Sequence, residues 1–158
     1  MLKVMMIDSD KHGLRTLGDE LEKDYAVLAC NEGRKAFDLY KLFSPNAVVL
    51  DPLTPGLGSE NFISKMRSLP GRPQLKVIVL SCSALIKQIE ESFDWGADYY
   101  FFKPVVVNRV RFKLREFLQK QTAEAIRQAE QYFHSMDKKG TFNGDLTTGL
   151  LPFNPTKR

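Results

Sequence analysis

Pro45-Asn46-Ala47-Val48-Val49-Leu50-Asp51-Pro52-Leu53-Thr54-Pro55-Gly56 is the stretch on which the fold turns. Ala47–Leu50 is a short, uninterrupted apolar run, the pattern of a strand buried on both faces rather than one. It ends directly in a carboxylate. A charge behind such a run needs a partner or a purpose, because burying an unpaired carboxylate is costly. Pro52, Pro55 and Gly56 then stop any regular element, which leaves Asp51 at the carboxyl end of a central strand.

On either side of it, Val4–Ile7, Ala26–Cys30, Val77–Leu80 and Tyr99–Phe102 are further runs of strand length, rich in Val, Ile, Tyr or Phe. Between them, helical spacing links Leu14, Leu17 and Leu21, then Ala36, Leu39, Tyr40 and Phe43. The same spacing links Phe62, Met66 and Leu69, and finally Leu85, Ile89 and Phe93. Alternation of five strands with four helices, and a fifth helix behind the last strand, predicts an α/β protein with one parallel sheet covered on both faces. Right-handed crossovers leave few topologies, and the flavodoxin-like three-layer sandwich with strand order 2-1-3-4-5 is the natural one. In such sheets function gathers at the carboxyl ends of the strands. Those ends carry Asp8-Ser9-Asp10, Asp51, Ser81 and Lys103, so carboxylates, a hydroxyl and an ammonium converge on one rim.

From Asn108 the periodicity predicts an extended C-terminal helix to about Met136. Leu114, Leu118, Thr122, Ala125, Ala129, Tyr132 and Met136 succeed one another at steps of four or three. That row admits a homodimer through a coiled-coil seam, although its small and polar members favour a helix that simply extends past the domain. The domain division is therefore 1–118 for the α/β domain, 119–137 for a helical extension, and 138–158 for a tail or the start of a truncated further domain. No helix-turn-helix fits behind residue 118, so a nucleic-acid partner is not expected.

The 158 residues carry a net charge of +4, unevenly spread: residues 1–102 hold −2 and residues 103–158 hold +6. Arg109, Arg111, Lys113 and Arg115 read as the solvated face of the terminal helix, since no interleaved aromatic motif accompanies them. No apolar run approaches the ~20 residues needed to span a bilayer, and Met1–Ile7 meets Asp8 too early for a signal-peptide core. A cytoplasmic protein without membrane contact is the expectation. Cys30 and Cys82 end apolar runs with no CxxC or Cys/His cluster, so both are expected to be reduced, packing residues.

Four segments together resemble the bacterial response-regulator receiver domain of two-component systems, over residues 3 to about 118. They are Lys3–Asp10, Pro45–Gly56, Val77–Cys82 and Gly96–Pro104. The resemblance implies that Asp51 accepts a phosphoryl group from a sensor histidine kinase, with Lys103 pairing the phosphoryl oxygens and Ser81 donating a hydroxyl hydrogen bond. It implies that the backbone N–H of Cys82 reaches the phosphoryl group. Ser81 and Tyr100 would form the switch. A downstream protein would then read the fourth helix, the fifth strand and the fifth helix. It also implies a Mg²⁺ or Mn²⁺ site from Asp8, Asp51 and the carbonyl of Leu53. Such a domain is no enzyme beyond its own phosphorylation and dephosphorylation.

Two residues depart from the family pattern. Ser9 stands where a second metal-binding acid belongs, so it would hold the ion weakly or through water and lower its affinity. Pro52 removes a backbone N–H directly after the acceptor. Both keep open an alternative, a pseudo-receiver that binds proteins without phosphorylation. A flavin-binding reading lacks a phosphate-cradling loop after the first strand. A Ser–His–Asp hydrolase would have only His12 and His134, neither at a strand end. Thr141–Pro152 faintly resembles the opening of a small effector domain found behind some receivers.

Overall fold

A computed structural model describes residues 1–70 and 74–137. The expected tail, 138–158, and the effector-like Thr141–Pro152 lie outside the described residues. The elements alternate as β1 (Lys3–Ile7), α1 (Lys11–Leu21), β2 (Ala26–Cys30), α2 (Gly33–Phe43), β3 (Ala47–Leu50), α3 (Ser59–Ser68), β4 (Lys76–Ser81), α4 (Ile86–Asp94), β5 (Tyr99–Phe102) and α5 (Val107–Asp137). The sheet is parallel throughout, in the order β2-β1-β3-β4-β5.

Period-two alternation within the strands divides the core into two layers. Met5, Ile7, Val48, Leu50, Val77 and Val79 pack under α2 and α3, where Ala36, Tyr40, Phe62, Ile63 and Met66 are buried. Val4, Met6, Val49, Ile78, Leu80 and Phe101 face α1 and α5 through Leu14, Leu17, Leu21, Val110, Leu114 and Leu118. The first compact unit runs Met1–Gln121; the second begins at Thr122.

The row proposed for a coiled coil is divided between two uses. Leu114 is 0% exposed and Leu118 1%, so the sheet takes both and neither is left for a second copy. The fourth helical row also fails as a core row. Leu85 is the α4 N-cap and Phe93 is exposed, while the residue α4 buries is Ser92. Its hydroxyl satisfies itself on the Gln88 carbonyl at 2.8 Å, so a small polar residue can lie against the sheet edge. Leu69 is likewise a C-cap outside α3.

Asp98 fastens β4 to the turn before β5. Its carboxylate accepts from the Val77 backbone N–H at 2.8 Å, from Arg67 at 2.8 Å and from Lys76 at 3.2 Å. At the opposite, carboxyl ends of the strands, a Cβ at Gly33 would collide with backbone atoms of Pro55, Gly56 and Leu57. The glycine lets the start of α2 press directly on the loop that leaves β3.

Candidate functional site

Parallel β1, β3 and β5 all end at one rim, so residues far apart in sequence become neighbours. Asp8 comes directly after β1, Asp51 after β3 and Lys103 after β5. The Lys103 ammonium lies 2.6 Å from Asp51 Oδ2 and 2.5 Å from Asp8 Oδ2. The carboxylates are nearly enclosed, Asp8 at 8% and Asp51 at 9% exposed. Burial works against the ammonium, but hydrogen bonds to Asp51 and Asp8 outweigh it and raise its pKa above the ordinary lysine value. The three side chains carry a net charge of −1, which prepares the rim for a further cation.

The loop after Asp51 is tightly bonded despite its proline. Leu53 N–H donates to Asp51 Oδ1 at 2.8 Å, leaving Oδ2 to the lysine. The buried Thr54 hydroxyl donates to the Asp51 carbonyl at 2.8 Å, and Ser59 donates to the Pro52 carbonyl at 2.9 Å. Pro52 thus fits a turn built from neighbouring donors. Leu53 itself is exposed.

After β1, Asp8 Oδ1 accepts the Asp10 backbone N–H at 2.9 Å, and Asp10 caps α1 by accepting from His12 N–H at 3.1 Å. The backbone N–H of Gly13, more than that of His12, keeps the Asp10 carboxyl below its usual pKa. Asp10 is therefore engaged as a cap, and Ser9 is exposed. Among the described residues no three His, Cys, Asp or Glu side chains gather as a metal site. Asp8, Asp51 and a loop carbonyl such as that of Leu53 are nevertheless hard oxygen donors of the type Mg²⁺ takes alongside water. The residues fit the ion with one carboxylate fewer than the family pattern.

Ser81, 0% exposed, ends β4, and its Oγ accepts the Ser83 N–H at 3.2 Å. Tyr100 is half-buried and donates to the Ser83 carbonyl at 2.8 Å. Both sequence-chosen residues therefore hold Ser83, which sequence reasoning missed. Its place two residues behind Ser81 was the available signal, since a serine there suits a side-chain-bonded turn. Cys82 is exposed, which corrects its reading as a packing residue. It belongs to the loop leaving the sheet rather than to the strand. Cys30 is buried as expected.

A family model described as "Response regulator receiver domain" matches residues 4–115. The chain belongs to the response-regulator receiver family. This receiver is 25% identical over 118 residues to sporulation initiation phosphotransferase F of Bacillus subtilis, covering 73% of this chain and 93% of that protein. It is 27% identical over 124 residues to response regulator MprA of Mycolicibacterium vanbaalenii, covering 78% of this chain and about half (53%) of that regulator. In fold it resembles the CheY-like receiver domain protein of Methanospirillum hungatei, with a TM-score of 0.72 and 24% identity over 78% of this chain and 98% of the other. Receiver domains generally bind Mg²⁺ at the acidic phosphorylation site, interact with histidine kinases and downstream effectors, and act as signalling domains rather than enzymes. No helix among the described residues is long and apolar enough to cross a membrane.

Proposed function

We propose that this receiver accepts a phosphoryl group on Asp51 from a histidine kinase and converts it into a change at a protein-binding surface. The observation that carries the reading is the Lys103 ammonium held between Asp51 and Asp8 at the strand ends. An Asp51 oxygen attacks the phosphorus of a phosphohistidine, an O–P bond forms as the N–P bond breaks, and the leaving imidazole nitrogen regains a proton. Little covalent chemistry is needed beyond alignment and charge neutralisation. Lys103 keeps a positive charge beside Asp51 and pairs with the incoming oxygens. The Cys82 backbone N–H and the Ser81 hydroxyl would donate to the same group. Mg²⁺ or Mn²⁺, held by Asp8, Asp51, the Leu53 carbonyl and weakly by Ser9, would supply the remaining neutralisation.

For output, a Ser81 hydroxyl that turns toward a phosphoryl group gives up its bond to Ser83. The same residue holds Tyr100 and leads into α4. Phosphorylation would thereby shift an existing equilibrium of this loop, with consequences on α4, β5 and α5. Leu85, Ile86, Phe102 and Phe112 are exposed there and offer apolar contact to a downstream protein. On this reading the chain divides into a receiver over 1–118, a helical extension over 119–137 that admits self-association, and residues 138–158 as a tail or the start of a further domain. A cytoplasmic location suits a kinase-fed signalling domain.

Incubation with acetyl phosphate and Mg²⁺, read by intact mass, tests the acceptor. A metal-dependent adduct of one phosphoryl group, absent in Asp51→Ala, is expected. Ser9 favours a second reading, a pseudo-receiver that binds partners without phosphate. Absence of any adduct with Mg²⁺ or Mn²⁺ would select it.

A further inference from the structure

Beside the rim, on the α1/α5 side of the sheet, lies a cavity of about 450 Å³. Protein interiors contain few voids larger than a water molecule, whereas small-molecule sites occupy roughly 300–1,000 Å³. Its lining is mostly apolar: Met6, Val49 and Leu80 from the sheet, Leu14 and Leu17 from α1, and Val107 at the start of α5. These residues come from five elements, so the space belongs to the fold rather than to one loop.

The polar lining is equally selective. Asp8, Asp10 and Asp51 contribute three carboxylates and Lys103 one ammonium; His12 and Cys82 complete the ionisable lining. Lys103 is already shared between Asp51 and Asp8, so the charge facing an occupant is negative. A small anion entering without a divalent cation is repelled. A neutral apolar molecule fills the floor but leaves the excess negative charge of the lining, three carboxylates against one ammonium, without a counter-charge. A cation joined to an apolar body satisfies both halves.

We infer that this cavity is a binding site for a small hydrophobic amine, its ammonium beside Asp8, Asp10 and Asp51 and its body against Leu14, Leu17, Leu80 and Val107. Occupancy would compete with a divalent cation for Asp8 and Asp51, coupling ligand and phosphorylation site by mutual exclusion. The inference needs no phosphoryl transfer and would hold equally for a pseudo-receiver.

The test is a methyl NMR titration of the full chain with phenethylamine, set against hydrocinnamate, an acid with the same phenylethyl body. Phenethylamine is expected to shift the Leu14, Leu17, Leu80 and Val107 methyls saturably, and hydrocinnamate to leave them unmoved. Asp10→Asn should weaken the amine about tenfold by removing one charged partner. Val107→Phe, at a half-buried position lining the cavity, should abolish binding by filling the space. Added Mg²⁺ should release the amine. Equal shifts with acid and amine, or no saturable shift of these methyls at millimolar amine, would overturn the inference. No phosphoryl donor is present, so failure here leaves the acceptor role standing, and failure of the acceptor assay leaves this site standing.

Discussion

Lys103 holds together two carboxylates that would otherwise repel each other in a nearly closed pocket. Replacing it by methionine should cost about 2–3 kcal/mol at neutral pH, at or below the low end for a fully buried pair because the lysine retains some exposure. Urea denaturation checks this. Mg²⁺ should restore more stability to the variant than to the wild type, since an external cation then neutralises Asp8 and Asp51. The raised lysine pKa fixes the sign of the pH dependence. The stabilisation is complete below the unfolded value near 10.5 and disappears as pH rises through the higher folded value. At the neighbouring position, Ser9→Asp should tighten Mg²⁺ about tenfold by adding an acidic ligand, as read by calorimetry. An unchanged affinity would show that residue 9 does not approach the ion.

Elements are secured by a few polar fastenings over a close-packed core. Asp98 joins the start of β4 to α3 and to the turn before β5. Asp98→Ala leaves the Val77 N–H without its partner and leaves Arg67 only the Leu75 and Gly96 carbonyls, and should cost about 1–3 kcal/mol in chemical denaturation. On α5, hydrogen bonds from Lys113 and Lys120 lower the Glu116 carboxyl to about 2. A depressed carboxylate stabilises above its unfolded pKa, so this contribution should persist at neutral pH. It fades as pH falls from 4.5 toward about 2, a loss absent in Glu116→Gln. The basic residues of this helix are partly neutralised in the same way: Arg111 meets Asp24 at 2.6 Å, and Lys113 meets Glu116 at 2.7 Å. Leu114→Ala, which opens a cavity under α5, should cost about 2–5 kcal/mol.

Across the molecule, the compact unit ending at Gln121 contains both core layers and the complete rim. A fragment of residues 1–121 should keep the urea midpoint of the full chain, and a marked fall would assign a stabilising role to residues 122–158. The strands were legible in sequence because a parallel sheet buried on both faces demands continuous apolar runs, and Ala47–Leu50 supplies one ending in Asp51. Asp8, Asp51, Ser81 and Lys103 were legible for the same reason, as polar groups at the ends of such runs. Which residues meet at the rim is therefore written in the chain itself. How they are used came from packing in three dimensions: one ammonium serves two carboxylates, Asp10 is spent as a helix cap, and Ser81 and Tyr100 share Ser83. Packing also assigned Leu114 and Leu118 to the sheet while leaving Leu85 and Phe93 exposed. Periodicity states which face of a helix is apolar, but what covers that face depends on elements distant in the chain.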